Sequence, residues 1–368
     1  MKNHTISLLC ASILWANATH AEFMVGADLS AAATAEQHGV IFYDNHSPKD
    51  VFAIFKENGY NTIRLRLFLD ADGHWGAVNN LPYTLNLAKR VKKHGFKFLL
   101  DLHYSDTWAD PAHQHKPTAW ADLSYEELLV QVHTYTKNVL DSFSAAGAPP
   151  DYVQIGNEIT PGMFWPDGKV GDEQLNSDEQ WKKLSELLKA GIRGTHDALP
   201  DHDVKTVIHI DRGGSKGVCE WFFSNLMKEH VDFDMIGLSY YPWLHGSLND
   251  LKETLDYIGN ELNKPVFIAE TAFPHREIGK TECDLEFEES PDGQVEFLAN
   301  LVKVIQNTPN NQGVGIFYWY PESVPTQDYS TWMHGATALF DQKGNALPAI
   351  KILAEAAKEG SSAESEDK

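Results

Sequence analysis

Eight short apolar runs, each separated from the next by enough chain for a helix, constrain this protein more than any other feature. They cover 23–30, 61–68, 97–104, 152–158, 205–211, 234–242, 265–271 and 313–321, and are rich in Val, Ile, Leu and Phe. Runs of this length read as buried strands. Between them, 47–58, 81–94, 125–146, 178–198 and 219–230 place apolar residues at three- and four-residue intervals, the period of an amphipathic helix. Gly59, Gly95 and Gly147 stand where helix stops are wanted, and Ser124 with Glu127 three residues on reads as a helix start. Eight strand–helix units in this order predict one α/β domain, a single (β/α)8 TIM barrel. A doubly wound open sheet is the alternative, but no GxGxxG or phosphate loop follows any of the runs.

The barrel is expected to occupy 22–354. Before it, Lys2 and the apolar stretch 6–15 lead to two small-residue cleavage patterns ending at Ala18 and Ala21. The stretch is too short to span a bilayer and reads as a secretory signal peptide over 1–21, giving a secreted or periplasmic protein. After it, "EGSSAESEDK" contributes to an acidic tail over 355–368 that is expected to be disordered. The formal net charge of -22 argues against nucleic acid and anionic membrane as partners and fits a neutral substrate. Behind the signal only Cys219 and Cys283 remain, too few for a disulfide framework and without metal-ligand spacing; whether they pair is open.

In such a barrel the active site lies at the C-terminal ends of the strands. Polar and aromatic residues gather there: Asp28 on the first run, Arg64 and Arg66 on one face of the second, and Asp101, His103 and Tyr104 on the third, followed by Asp106 and Trp108. The fourth run ends in Asn157 and Glu158, the fifth in His209 and Asp211, the sixth in Tyr240 and Tyr241, the seventh in Glu270 and the eighth in Trp319. Any one of these is explained as readily by packing or ion pairing. Their joint placement at one rim is not. Glu158 and Glu270 are the pair that glycoside hydrolysis needs, one carboxyl to donate a proton and one to attack or to activate water. An Arg beside Glu270 would favour its charged form, and a carboxylate facing Glu158 would raise its pKa.

"HYSDTWADPAHQ", "IGNEI" with "WPDG" soon after, "GLSYYPW" and "AETAFP" together resemble the endo-β-1,4-galactanases of glycoside hydrolase family 53, over about 24–352. The resemblance implies retaining cleavage, by double displacement, of internal β-1,4-galactosidic bonds in galactan and type I arabinogalactan, the neutral side chains of pectin. It implies Glu158 as proton donor and acid/base, and Glu270 as nucleophile. It further implies that Asn157 contacts the sugar 2-hydroxyl, Trp319 floors the subsite beside the cut and Tyr240 bonds the nucleophile. Asp28, Arg64, Arg66, His103, Asp106, Trp108 and Asp211 are expected to line the substrate cleft. The expected partners are galactan and β-1,4-galactooligosaccharides, acted on by a monomer.

Two departures stand out. Tyr320 follows Trp319 where the family often has an acid, and the loop 275–291 departs from the family's pattern. Catalysis needs no cofactor, and no metal ligand is assigned. Glu282, Asp284, Glu286, Glu288 and Glu289 in that loop could supply oxygens to a structural calcium, with a solvated acidic loop as the preferred reading. Three competing functions are another barrel glycosidase (a mannanase, cellulase or xylanase), a metal-dependent hydrolase using His103, His113, His115 and His209, and a non-catalytic glycan-binding protein.

Overall fold

A computed structural model of the chain describes residues 22–171 and 175–366, with side chains to Glu359. The expected signal peptide, 1–21, lies outside the described residues. Eight parallel strands close into a barrel: β1 (Met24–Asp28), β2 (Thr62–Leu67), β3 (Lys97–Leu102), β4 (Tyr152–Ile155), β5 (Lys205–Ile210), β6 (Met235–Ser239), β7 (Val266–Thr271) and β8 (Gly313–Tyr318). Each pairs with its neighbours in sequence, and β1 closes the ring by pairing with β2 on one side and β8 on the other. The fold is the (β/α)8 TIM barrel.

The strands are shorter than the apolar runs because the runs continue into the rim. At β4 the strand stops at Ile155, three residues before the run ends. Gly156 then turns at φ 83° and Glu158 at φ 48°. A glutamate in the left-handed region is uncommon and costs about 1 kcal/mol or more.

Among the described residues one main helix follows each strand: α1 (Val51–Glu57), α2 (Leu81–Lys93), α3 (Tyr125–Ala145), α4 (Asp178–Ala198), α5 (Lys216–Lys228), α6 (Leu248–Tyr257), α7 (Pro291–Gln306) and α8 (Ile352–Glu366), with short helical turns at Ala32–Gln37 and Pro242–His245. Ser124 and Glu127 form the reciprocal capping box that opens α3. α6, α7 and α8 are helices beyond the five amphipathic segments read from the sequence. α8 corrects the expected domain edge: it runs through the polar segment after 354, and Ala356 and Ala357 are buried. Gly59, at φ 89°, allows this packing, since a Cβ there would lie 2.6 Å from the Ala354 Cβ.

Alternation along each strand separates two cores. Val25, Ile63, Leu65, Leu100, Val153, Ile208 and Ile316 point outward into the large core beneath the helices. Met24, Leu99, Val207, Met235, Phe267 and Phe317 fill the N-terminal end of the barrel interior. Gly26 makes room there: its absent Cβ would sit 2.3 Å from the Phe317 ring, which packs on Phe267. Gly26→Ala is therefore expected to lower stability by about 1–3 kcal/mol, read as a fall in Tm, with the fold retained. An unchanged Tm would contradict this account of the interior.

Candidate active site

Above the apolar plug the barrel interior turns polar, because the inward positions of β1 to β7 now carry Asp28, Arg64, Asp101, Gln154, His209, Ser239 and Glu270. All seven are buried. Arg64 is the hub. Its guanidinium makes four hydrogen bonds and one further ion pair: Nη1 donates to Asp28 Oδ2 at 3.1 Å, Nη2 donates to Asp101 Oδ2 at 2.8 Å and to Asn157 Oδ1 at 2.9 Å, Nε donates to Gln154 Oε1 at 3.2 Å, and Nη1 also pairs with the Glu270 Oε1 charge at 3.0 Å. One planar cation thereby ties β1, β3, β4 and β7 together just below the rim. A lysine, with three donors on a point charge, could not satisfy this set.

A cleft of about 1270 Å³ opens directly above this layer, and Arg66, Asp106, Trp108, Asn157, Glu158, Asp211, Glu270 and Trp319 line it. Trp108 and Trp319 lie edge to face at 6.1 Å, with the Arg66 guanidinium 4.5 Å from the first ring and 5.4 Å from the second. Flat apolar faces with a few fixed polar groups suit a sugar, whose C–H face stacks while its hydroxyls hydrogen-bond.

Four of the expected cleft residues do not line it. Asp28, Arg64 and His103 lie in the buried layer below, where His103 Nε2 is 3.0 Å from Asp101 Oδ2 and its Nδ1 accepts from the Ala109 N–H. Tyr240 points away altogether: its hydroxyl donates to the Gly246 carbonyl and its ring stacks on Phe297. The tyrosine that bonds Glu270 is the next one, Tyr241, whose hydroxyl donates to Oε2 at 3.0 Å. Strand parity explains the exchange, because Ser239 faces inward, so Tyr240 faces out and Tyr241 faces in.

The two glutamates have different surroundings. Glu270 is 4 % exposed. Burial pushes its pKa up, Arg64 and the Tyr241 hydroxyl pull it down, Asp101 and Asp28 raise it, and it comes to about 7. Glu158, half-buried, accepts from Ser239 Oγ at 2.6 Å, and Ser239 is the register partner of Glu270 on β6. That bond places the Glu158 carboxyl against the β6–β7 side of the site. Burial first, then the charges of Glu270 and Asp211, hold its pKa well above the usual carboxylate range. A proton shared by the pair therefore resides on Glu158, while Glu270, beside Arg64, is the first to ionise.

Other residues were less visible in sequence. Gln154 and Ser239 are single polar residues inside apolar strands, marked only by inward parity. Glu322 lies beyond β8, wholly buried, with Oε1 accepting from the Ala31 N–H at 2.9 Å, and burial pushes its pKa up to about 8. Tyr320, at the position where an acid was expected, hydrogen-bonds Tyr329 instead. Trp75, 79 % exposed, lines the cleft from the loop after β2.

Among the described residues, no group of three or more His, Cys, Asp or Glu side chains converges as a metal site would. In the loop 275–291, Glu286 accepts from the Leu248 N–H and Glu289 from the Ile278 N–H. Cys219 and Cys283 are free thiols. No described helix is long and apolar enough to cross a membrane.

Comparison with known proteins agrees with the fold and extends it. The chain is 40 % identical over 346 residues to an uncharacterized protein in the bgaB 5′ region of Niallia circulans, covering 90 % of this chain and 93 % of that one. It is 32 % identical over 350 residues to the arabinogalactan endo-β-1,4-galactanase of Thermothelomyces thermophilus, covering 89 % and 98 %. Among solved structures it superposes on the Ignisphaera aggregans GH53 catalytic domain with a TM-score of 0.82 at 33 % identity, covering 90 % and 95 %. The model of glycosyl hydrolase family 53 matches residues 24–353. That span runs from the first residue of β1 into α8, taking in the whole barrel and both glutamates, and the chain belongs to glycosyl hydrolase family 53.

Proposed function

We propose that this glycosidase is an exported, monomeric endo-β-1,4-galactanase that cleaves internal bonds of galactan and type I arabinogalactan with retention. The observation that carries the reading is the unequal pair of glutamates in one cleft, Glu270 held by Arg64 and Tyr241, and Glu158 kept protonated by burial and by Glu270 itself. The galactanase named among the relatives supports the substrate class. The 1–21 segment supports export.

In the first step Glu270 attacks the anomeric carbon while Glu158 protonates the departing glycosidic oxygen, giving a covalent galactosyl-enzyme. In the second, Glu158 as carboxylate takes a proton from water, which displaces Glu270 from the sugar. The charges alternate, so each carboxyl sees its partner neutralised when it must itself be ionised. Asn157 lies next to Glu158 with its amide nitrogen donating to the Ala109 carbonyl, and its second N–H is available to the 2-hydroxyl of the sugar. Trp319 and Trp108 floor the cut sugar.

The test is product analysis on linear β-1,4-galactan, with the anomeric form followed in time. Long oligomers released first, with initial β configuration, are expected. Initial α product would replace the nucleophile by a general base. Galactose as the first product would replace endo by exo action, and hydrolysis of mannan, cellulose or xylan in place of galactan would remove the substrate assignment.

A further inference from the structure

His209 reaches both ends of Glu158, its backbone directly and its carboxyl through Ser239. Its Nδ1 is the acceptor for the Glu158 backbone N–H at 3.4 Å, and its Nε2 lies 3.0 Å from Ser239 Oγ, which donates to Glu158 Oε1 at 2.6 Å. Gln154 Nε2 also faces Nδ1, at 3.1 Å. Asn157 Oδ1, 3.0 Å from the same nitrogen, takes its hydrogen bond from Arg64. The ring is wholly buried, and burial together with the nearby Arg64 charge keeps it neutral, so it has one proton to place. With donors directed at Nδ1, that proton belongs on Nε2.

We infer that Ser239 and His209 are positioning residues for the Glu158 carboxyl, with the imidazole Nε2–H turning the single serine proton toward Oε1. Oε1 is then always an acceptor, and the proton delivered to the glycosidic oxygen is carried on Oε2. When Glu158 becomes a carboxylate in the second step, the same hydroxyl is already aimed at its charge. The inference rests on the assignment of Glu158 as acid/base.

Other groups also act on Glu158: Glu270 from β7, Asp211 after β5, Asp110 after β3 and Tyr241 after β6. Arg212 pairs with Asp211, and His209 itself is faced by Arg64, Asp101 and His103. None of these is altered by removing the serine hydroxyl. The Ser239 bond favours the charged form of Glu158, so its loss raises the Glu158 pKa. Activity is lost at high pH as Glu158 gives up its proton, so the basic limb must move upward.

The experiment is the pH profile of kcat/KM for Ser239→Ala, with Ser239→Cys as a near-isosteric second variant and Ser239→Thr as the conservative one. The basic limb is expected to rise by about 1 pH unit in the Ala and Cys variants, to keep the wild-type position in Thr, and the acidic limb to stay in place. A basic limb unmoved in both Ala and Cys overturns the inference. Glu158→Ala with azide and an activated aryl β-galactoside tests the underlying assignment separately. A β-galactosyl azide product supports it, and its absence removes the acid/base role whatever Ser239 does.

Discussion

Replacing Glu270 by Ala is expected to lower kcat on galactan by about 10⁴-fold or more while galactooligosaccharide binding persists. This is the scale seen when a covalent nucleophile is removed and the rest of the site is left standing. Binding persists because Arg66, Trp108, Asn157 and Trp319 line the cleft independently of Glu270. The variant also leaves a cavity beside Arg64 and Tyr241, the two groups that hold the native carboxylate. A small anion fits there, so azide is expected to restore turnover of an activated β-galactoside and to give an α-galactosyl azide. That product has the opposite configuration from the one expected with Glu158→Ala, because the two anions approach opposite faces of the sugar. Kinetics, calorimetry with a galactooligosaccharide and NMR of the azide product check the three parts. Turnover within about tenfold of wild type would remove Glu270 as nucleophile.

The sequence disclosed the barrel because its strands are buried on both sides, and such strands read as apolar runs whatever lies around them. It marked Glu158 and Glu270 as candidates because polar residues gather at one rim of the predicted barrel, not because either carboxyl alone lacks a packing explanation. It confused Tyr240 with Tyr241 because two adjacent tyrosines carry the same chemistry, and only parity counted from an inward Ser239 separates them. Arg64 and Arg66 were placed on one face, but nothing in the spacing says that Arg64 lies below the cleft and Arg66 in it. That difference is a matter of depth: Arg66 is one inward position nearer the rim. α8 was missed because alanine carries little hydrophobic signal, yet Ala354 and Ala357 bury against the barrel by being small. Glu322 lies in a loop, outside any periodic pattern, and only the fold brings it under Ala31.

The depth of Arg64 gives the second large effect. Arg64→Met is expected to cost about 3–5 kcal/mol of stability near neutral pH, because it leaves a buried charge cluster without its cation. Asp28 and Asp101 are fully buried and Glu270 is 4 % exposed, so this cluster depends on the guanidinium rather than on solvent for its four hydrogen bonds and the Glu270 ion pair. The loss depends on pH in a defined direction. In the native protein, burial raises the Asp101 pKa but Arg64 and His103 outweigh it, leaving it below the ordinary value. That depressed pKa contributes stability above the unfolded value, and the contribution fades as pH falls through the folded one. Without Arg64 the carboxyls are raised instead, and the variant loses stability as pH rises through their new values. The gap between wild type and variant therefore narrows as the pH is lowered toward about 4 and widens above it. Activity falls further than stability, since Glu270 without its guanidinium stays protonated and cannot attack. Arg64→Lys keeps a charge but spans fewer acceptors, so it is expected to regain part of the stability and little of the kcat. Denaturant unfolding at two pH values, with kcat measured on the folded fraction, separates the two effects. Equal Tm and kcat in Arg64→Met and wild type would mean that the hub neither holds the rim together nor ionises the nucleophile.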